Sequence, residues 1–559
     1  MSDLVRETGE ALVAAAEAGD GKAVRRMSGF FVFRALVDEG IPYWERAAPV
    51  SSWAAFTLAR YRKIRGDRAE AERLYRSFAG TSGDCAYGLG VLLGEDGDSE
   101  AQAWFRTGWE DWRRLDCKIE LGKGIAAQGR PGEAAAFLMD GAGLGDIAVF
   151  RWVELFEAMQ KTLDDAAASL DAAGSPAEAA GSILDLAGLR DSLSAYPGLL
   201  APTEELYLRA ADLSASDPYP HSYILLEHAR TLYAAGGRAD DCAALLHRAG
   251  DLGLHAASSA LAGIAQDRGD LAEAERAYTA AAEAGEPDSV FNLALMYEAV
   301  FRLDDAEHWY RRYLDLFPDD PEVPGQLAHV ARKRSIDATA LRERVADLPR
   351  LRAAAEAGDA RAGYLFGSSL WTWKQGSARE MLPWILPLAE EGDAEAADLV
   401  AELYGRLGKA SLRDRRRLRA AELGDLNACR QAGLLSNHHK DWQQAERWFV
   451  RSASDGDGLD AFFAGKLMAQ RESFAEAEPL LRHAWAQGEH EAYGPEAAGY
   501  YGVVLHRLGR SAEAVPLLEA AAESWSRIVL RHSDDVDVIA RAPNVPELLK
   551  EARAAAGAG

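Results

Sequence analysis

The sequence predicts an all-α protein, a solenoid of antiparallel helical hairpins, and three observations predict it. The phrase GDLAEAERAY (269–278) has an earlier near-copy, GDRAEAERLY (66–75). Six further stretches share its grammar: GDSEAQAWF (97–105), GRPGEAAAFL (129–138), FRLDDAEHWY (301–310), KDWQQAERWF (440–449), ESFAEAEPLL (472–481) and GRSAEAVPLL (509–518). Each opens on turn or charged residues and sets an alanine four positions before a large apolar residue. The pairs include Ala71/Tyr75, Ala134/Leu138, Ala274/Tyr278, Ala306/Tyr310, Ala445/Phe449, Ala477/Leu481 and Ala514/Leu518. That spacing puts both residues on one helical face, where the small one admits a neighbouring helix and the large one fills the adjacent gap. Twelve positions before six of these alanines stands a second small residue: Gly122, Ala262, Ala294, Gly433, Gly465 and Gly502. Each unit therefore reads as helix, short turn, helix, with a notch in each member.

In chain order, residues 1–171 read as N-terminal helical repeats. Residues 172–204, with AGSPAEAAGS and AYPGLLAP, form a weakly patterned connecting segment. Residues 205–335 form a central repeat block in which Cys242, Ala274 and Ala306 recur every 32 positions, the cysteine standing in for the small buried residue. The pattern breaks again over 318–350, with PDDPEVPG, and ADLPRLRAAAEAG restarts it. Residues 336–530 form a C-terminal block, and 531–559 a tail, partly helical or disordered. A fixed period of this size means stacked hairpins, none able to bury its apolar face alone.

Within the central block, VFNLALMYEAVFRLDDAEHWYRRYLDLFP resembles a tetratricopeptide repeat: Val290, Leu293, Ala294, Tyr297, Ala306, Tyr310 and Pro318 occupy that family's typed positions in order. A second flavour runs through AAEAGEPDS (281–289), AAEAGDARAGYLFG (354–367), LAEEGDAEAADL (388–399) and AAELGDLNACRQAG (420–433), which resemble the junctions of Sel1-like repeats. There, glycine takes the left-handed helix cap and the following acid suits a new helix N-terminus. The resemblance covers most of residues 10–525 and implies a right-handed superhelical solenoid. It also implies a concave groove lined by the first helix of each hairpin, placing Asp288, Phe291, Asn292, Leu295 and Glu298 at the groove, with Asn292 where related domains grip a peptide backbone. Glu227 and Ser259 stand where domains that clamp a C-terminal carboxylate carry basic residues, which argues against that mode.

The formal net charge is −26. Binding a nucleic-acid backbone or an anionic membrane surface needs clustered cations, so neither is expected as the main partner. Acids at Glu7, Glu10, Glu17 and Asp20 interrupt any secretory apolar core, and no stretch approaches the roughly 18 apolar residues of a membrane span. Cys85, Cys117, Cys242 and Cys429 form no paired motif. A cytoplasmic setting is the expectation.

Several short stretches resemble motifs that carry chemistry. GLGVLLG (88–94) lacks a preceding strand and the spacing of a dinucleotide loop, so packing glycines are expected. GRLGKAS (405–411) lacks the gap of a phosphate loop and reads as an inter-helix turn. His438 and His439 are adjacent and read as a solvated turn, while Glu227–His228 and His490–Glu491 lack a second metal-spaced histidine. Trp371 and Trp373 point to different faces, one to the core and the other outward as a possible binding anchor. The run SLRDRRRLRAAE (411–422) carries Arg413, Arg415, Arg416, Arg417 and Arg419 in an acidic chain. It reads either as a basic patch able to clamp a phosphate or an acidic partner, or as an exposed helix whose arginines pair with neighbouring acids.

These readings add up to a non-catalytic scaffold or adaptor that binds a protein or peptide; the acidic surface allows a partner with a basic segment, and equally reads as a surface that keeps a long chain soluble. No cofactor and no metal are expected. A ligand- or peptide-responsive regulator acting through a partner stays open, as does an enzyme with a site hidden in 172–220.

Overall fold

The turn inside the repeated phrase shows how the chain makes a hairpin. In the computed structural model, Gly66 (φ 88°) and Gly269 (φ 74°) take the left-handed conformation that ends a helix cheaply only for glycine. The next residue caps the following helix: the Asp67 carboxylate accepts from the Glu70 N–H at 3.2 Å, and Asp270 does the same for Glu273 at 3.2 Å. The Sel1-like junctions use the same device. Gly358, Gly392 and Gly424 have φ of 97°, 100° and 114°, and Asp359, Asp393 and Asp425 cap the helices that follow.

The structure describes residues 2–33, 36–140, 147–236, 238–334, 339–488, 491, 493–531 and 543–557. Among them the only extended pairing is an isolated bridge between Arg268 and Gly376, and the rest is helix and turn. His490 and residues 532–542 of the expected tail lie outside the described residues. No described helix is long and apolar enough to cross a membrane.

Inside each hairpin the expected notch is filled by the expected knob. A Cβ added at Gly122 would meet the Leu138 side chain at 2.8 Å. At Gly433 it would meet the Phe449 ring at 2.8 Å, at Gly465 Leu481 at 2.7 Å, and at Gly502 Leu518 at 2.8 Å. At these four positions a larger residue would have to push the knob aside. Ala71, Ala134, Ala274, Ala306, Ala445, Ala477, Ala514 and Cys242 are all completely buried. The glycine-rich stretch 88–94 is packing too: it lies in the helix Gly83–Gly94, where Gly88 faces the Tyr75 ring and Gly90 the Phe105 ring.

The chain forms two compact units. The first joins residues 1–107 to 392–559, and the second holds 108–391. The weakly patterned segment lies in the second and is ordered helical structure. Beside the helix Ile147–Ala172 it forms Pro176–Ser182 and a series of short turns, burying Ile183, Leu186, Leu189, Leu193, Tyr196 and Leu199. Gly198 donates its N–H to the Ala127 carbonyl at 3.0 Å, and a Cβ on Gly198 would lie 2.4 Å from the Gly129 nitrogen. In the same unit Lys118 is buried. Its ammonium donates to the Leu138 and Asp140 carbonyls at the end of the helix Pro131–Met139, over the Trp109 ring at 4.7 Å. A cation there meets the negative end of the helix dipole.

Candidate functional site

In the first unit, hairpins far apart in sequence close on one another through charge. Arg65 caps the end of the helix Ser52–Ile64. Its Nε and Nη2 donate to the two carboxylate oxygens of Asp441 at 2.7 and 2.8 Å, and its Nη1 donates to Asp38 at 2.7 Å. Asp441 is fully buried and also caps the helix Trp442–Ser452, accepting from the Gln444 N–H at 3.3 Å. Burial works against the Arg65 charge, but Asp441 and Asp38 more than offset it and raise its pKa above the ordinary arginine value. Around this fork the Gln443 side chain accepts from the Asp38 N–H at 2.6 Å and donates to Glu39 at 2.7 Å, and Arg447 pairs with Asp38. Arg415 joins Asp96 across the same seam at 2.7 Å.

Beside the seam lies a cleft of about 650 Å³. The helices Ser52–Ile64, Arg68–Phe78 and Gly83–Gly94 form one wall, and Ala410–Leu423 with Leu426–His438 the other. Phe56, Ile64, Tyr75, Tyr87, Val91, Leu412 and Leu435 supply apolar surface. Tyr75 reaches the cleft because Gly88 leaves its ring room. The charged lining is Arg60, Lys63, Arg68, Arg415, Arg416 and Arg419 against Glu95, Asp414 and Glu422, a cationic excess in an acidic protein. Lys63 (at 2.5 Å) and Arg68 (at 2.8 Å) both pair with Glu95, and Arg419 approaches Glu422 at 3.4 Å. Arg60 makes no ion pair among the described residues and is exposed. His439 also lines the cleft, and its pKa is lowered by burial, then by His438 and Arg60. The expected solvated turn is thus only half right: His438 is exposed, but His439 turns into the cleft wall.

The arginine run does not form one face. Leu412, Arg415, Arg416 and Arg419 fall at three- and four-residue spacing on the cleft side. Arg413 and Arg417 point to a smaller polar cavity of about 380 Å³ shared with Asp398, Glu402, Arg406 and Asn427. Behind the cleft, burial pushes the Cys85 thiol up to about 12, so it stays protonated.

The groove residues inferred from the family resemblance lie in the second unit, on the helix Pro287–Ala299. Asp288 and Leu295 are exposed, and Phe291 and Asn292 half-buried. The Phe291 ring packs 5.8 Å from Tyr310 and 5.3 Å from Tyr313. Glu298 departs from the expectation. It is buried and accepts from Tyr310 Oη and Lys333 Nζ, each at 2.9 Å, with His329 also 2.9 Å away. Ten residues on from Asp288 a helix has drifted about 80° off that face, toward the Phe291 side that Leu303–Leu316 and Val323–Lys333 cover. Glu227 is likewise buried, held by Arg190 and by Arg230 at 3.0 Å, while Ser259 is half-buried. Trp371 and Trp373 are both half-buried, so neither is the exposed anchor expected. GRLGKAS is the turn that was expected, with Gly408 at φ 70° between two helices. Among the described residues no group of three or more His, Cys, Asp or Glu side chains could hold a metal ion.

In its build the chain is an all-α protein of paired helices with capped Gly-Asp turns and small-residue notches, a helical-hairpin repeat that resembles the tetratricopeptide and Sel1-like type. No family model matches it, and no curated protein does. Solved structures similar to it include yeast Tom70 (12% identity, 82% of this chain and 96% of that one, TM-score 0.23). A Sel1 repeat protein from Oxalobacter formigenes is similar at 17% identity over 57% of this chain and 86% of that one, with TM-score 0.23. The P58(IPK) TPR domain is similar at 11% identity over 90% and 98%, with TM-score 0.21.

Proposed function

We propose that the protein is a non-catalytic interaction scaffold that holds a protein or peptide partner on the faces its repeats leave unalike. The observation that supports this is the division of labour among side chains. Repeated residues such as Ala445, Phe449 and Gly433 are spent inside hairpins, whereas unrepeated ones, Arg60, Arg415, Asp288 and Leu295, stand at the surface. In this reading Asp288, Phe291, Asn292 and Leu295 form a partner-binding face in the second unit, suited by Asp288 to a basic segment. The division of the chain into three repeat blocks, with breaks at 172–204 and 318–350, belongs to the same reading. So does a cytoplasmic setting.

The test is affinity capture from native lysate with the full chain and with Asp288→Lys and Leu295→Glu variants. Both positions are exposed, so stability should change by less than about 0.5 kcal/mol. A stoichiometric partner held at moderate salt and lost with either variant supports the reading. Capture of no stoichiometric protein at low or moderate salt sinks it.

A further inference from the structure

The cleft of the first unit inverts the sign of the molecule around it. The chain carries a net charge of −26, yet six basic and three acidic side chains line this space. All three acids are already engaged: Glu95 by Lys63 and Arg68, Asp414 by Arg413, and Glu422 by Arg419. Arg60 has no carboxylate partner among the described residues, and Arg419 meets only one, across 3.4 Å at an exposed position. An uncompensated guanidinium beside aromatic rings is the chemistry that recognises an anion carrying an apolar body. Phe56, Tyr87 and Leu435 supply the surface for that body. A volume of about 650 Å³ falls in the range of roughly 300–1,000 Å³ that suits small ligands.

We propose that this cleft binds a small anionic ligand with a flat or branched apolar body, its carboxylate or phosphate held by Arg60 and Arg419 and its body set against Phe56 and Tyr87. The site exists only while the two walls are together, because Phe56 and Arg60 lie on one side of the seam and Arg419 and Leu435 on the other. Occupancy therefore stabilises the closed seam by linkage. The scaffold reading does not depend on this site.

The test uses three probes that share a naphthalene body: 1-naphthyl phosphate, 1-naphthoate and neutral 1-naphthalenemethanol. Each is titrated calorimetrically into the full chain at low and moderate salt. One site is expected, with at least one anion bound about tenfold or more tighter than the alcohol. The stronger of the two anions identifies phosphate or carboxylate as the natural head group. Arg60→Gln and Arg419→Gln should each weaken the anion about three- to tenfold without moving the melting curve, since both side chains are exposed. Arg413→Gln, on the other face of the same helix, should change it less than about twofold. Equal binding of all three probes, or anion binding indifferent to Arg60 and Arg419, overturns the proposal. So does binding of a Glu/Leu peptide with no binding of any probe, which would make the cleft a protein-docking site.

Discussion

The interior of a hairpin and the seam of the first unit are held together by opposite means. Between Gly433 and Phe449 there is only shape, a ring filling the space where a Cβ would lie 2.8 Å away. Between Arg65 and Asp441 there is a two-pronged ion pair, with the acid completely buried. Apolar fit is cheap to form locally and needs no partner elsewhere in the chain. A buried ion pair is costly to desolvate and contributes mainly by accepting one partner and refusing others. Within the first unit, packing thus builds each hairpin and charge joins hairpins remote in sequence.

That contrast can be broken at its apolar end first. Gly433→Val forces a branched side chain into the Phe449 ring and should cost about 3 kcal/mol, read as a lower urea midpoint. Adding Phe449→Ala should recover part of the loss, with a coupling of about 1–2 kcal/mol between the two positions. The charged end should respond differently. Asp441→Asn keeps a helix cap but leaves the Arg65 guanidinium with Asp38 as its one carboxylate, and should cost about 2 kcal/mol. Its signature is faster hydrogen exchange in the helices Val37–Ala47 and Ser52–Ile64, with the hairpin Leu426–Ser452 still protected. Arg65→Met combined with Asp441→Asn should cost less than Asp441→Asn alone, because no half-paired guanidinium is left at the seam and Asp38 keeps Arg447.

The smallest effect concerns pH. Burial holds the pKa of His439 below 6.5, so the folded chain takes up this proton at a lower pH than the unfolded chain. Where the unfolded chain binds more protons, stability falls as pH falls. The parent should therefore lose stability between pH 7 and pH 5, and His439→Gln should lose slightly less, measured as urea midpoints at the two values.

These two kinds of contact also explain what could be read from the residues alone. The notch at Gly465 and the knob at Leu481 sit sixteen positions apart and recur, so periodicity exposes them. The Gly-Asp turns were legible because left-handed backbone and helix capping each demand a narrow set of residues. The seam was not, since Arg65 and Asp441 stand 376 positions apart and an ion pair leaves no local pattern. The cleft inherits that opacity. Its aromatic wall and its arginine wall were each visible, but nothing in either announced the other. Helical periodicity alone sets Arg415, Arg416 and Arg419 apart from Arg413 and Arg417 within residues 411–422. The spacing of Ile183, Leu186, Leu189, Leu193, Tyr196 and Leu199 was present beneath the glycines and prolines that masked it.

The seam has a consequence for how the molecule comes off the ribosome. Arg65 emerges 376 residues before the carboxylate it grips. At about 5–20 residues per second, that is a wait of roughly 20–75 seconds. Throughout it, the wall bearing Phe56 and Tyr87 has no opposite wall, and the guanidinium of Arg65 has only Asp38 to hold. The hairpins that carry Phe56 and Tyr87 are thus made long before they are finished. A chaperone that shields apolar surface on nascent chains would meet this protein at its N-terminal repeats and release it only after Asp441 arrives.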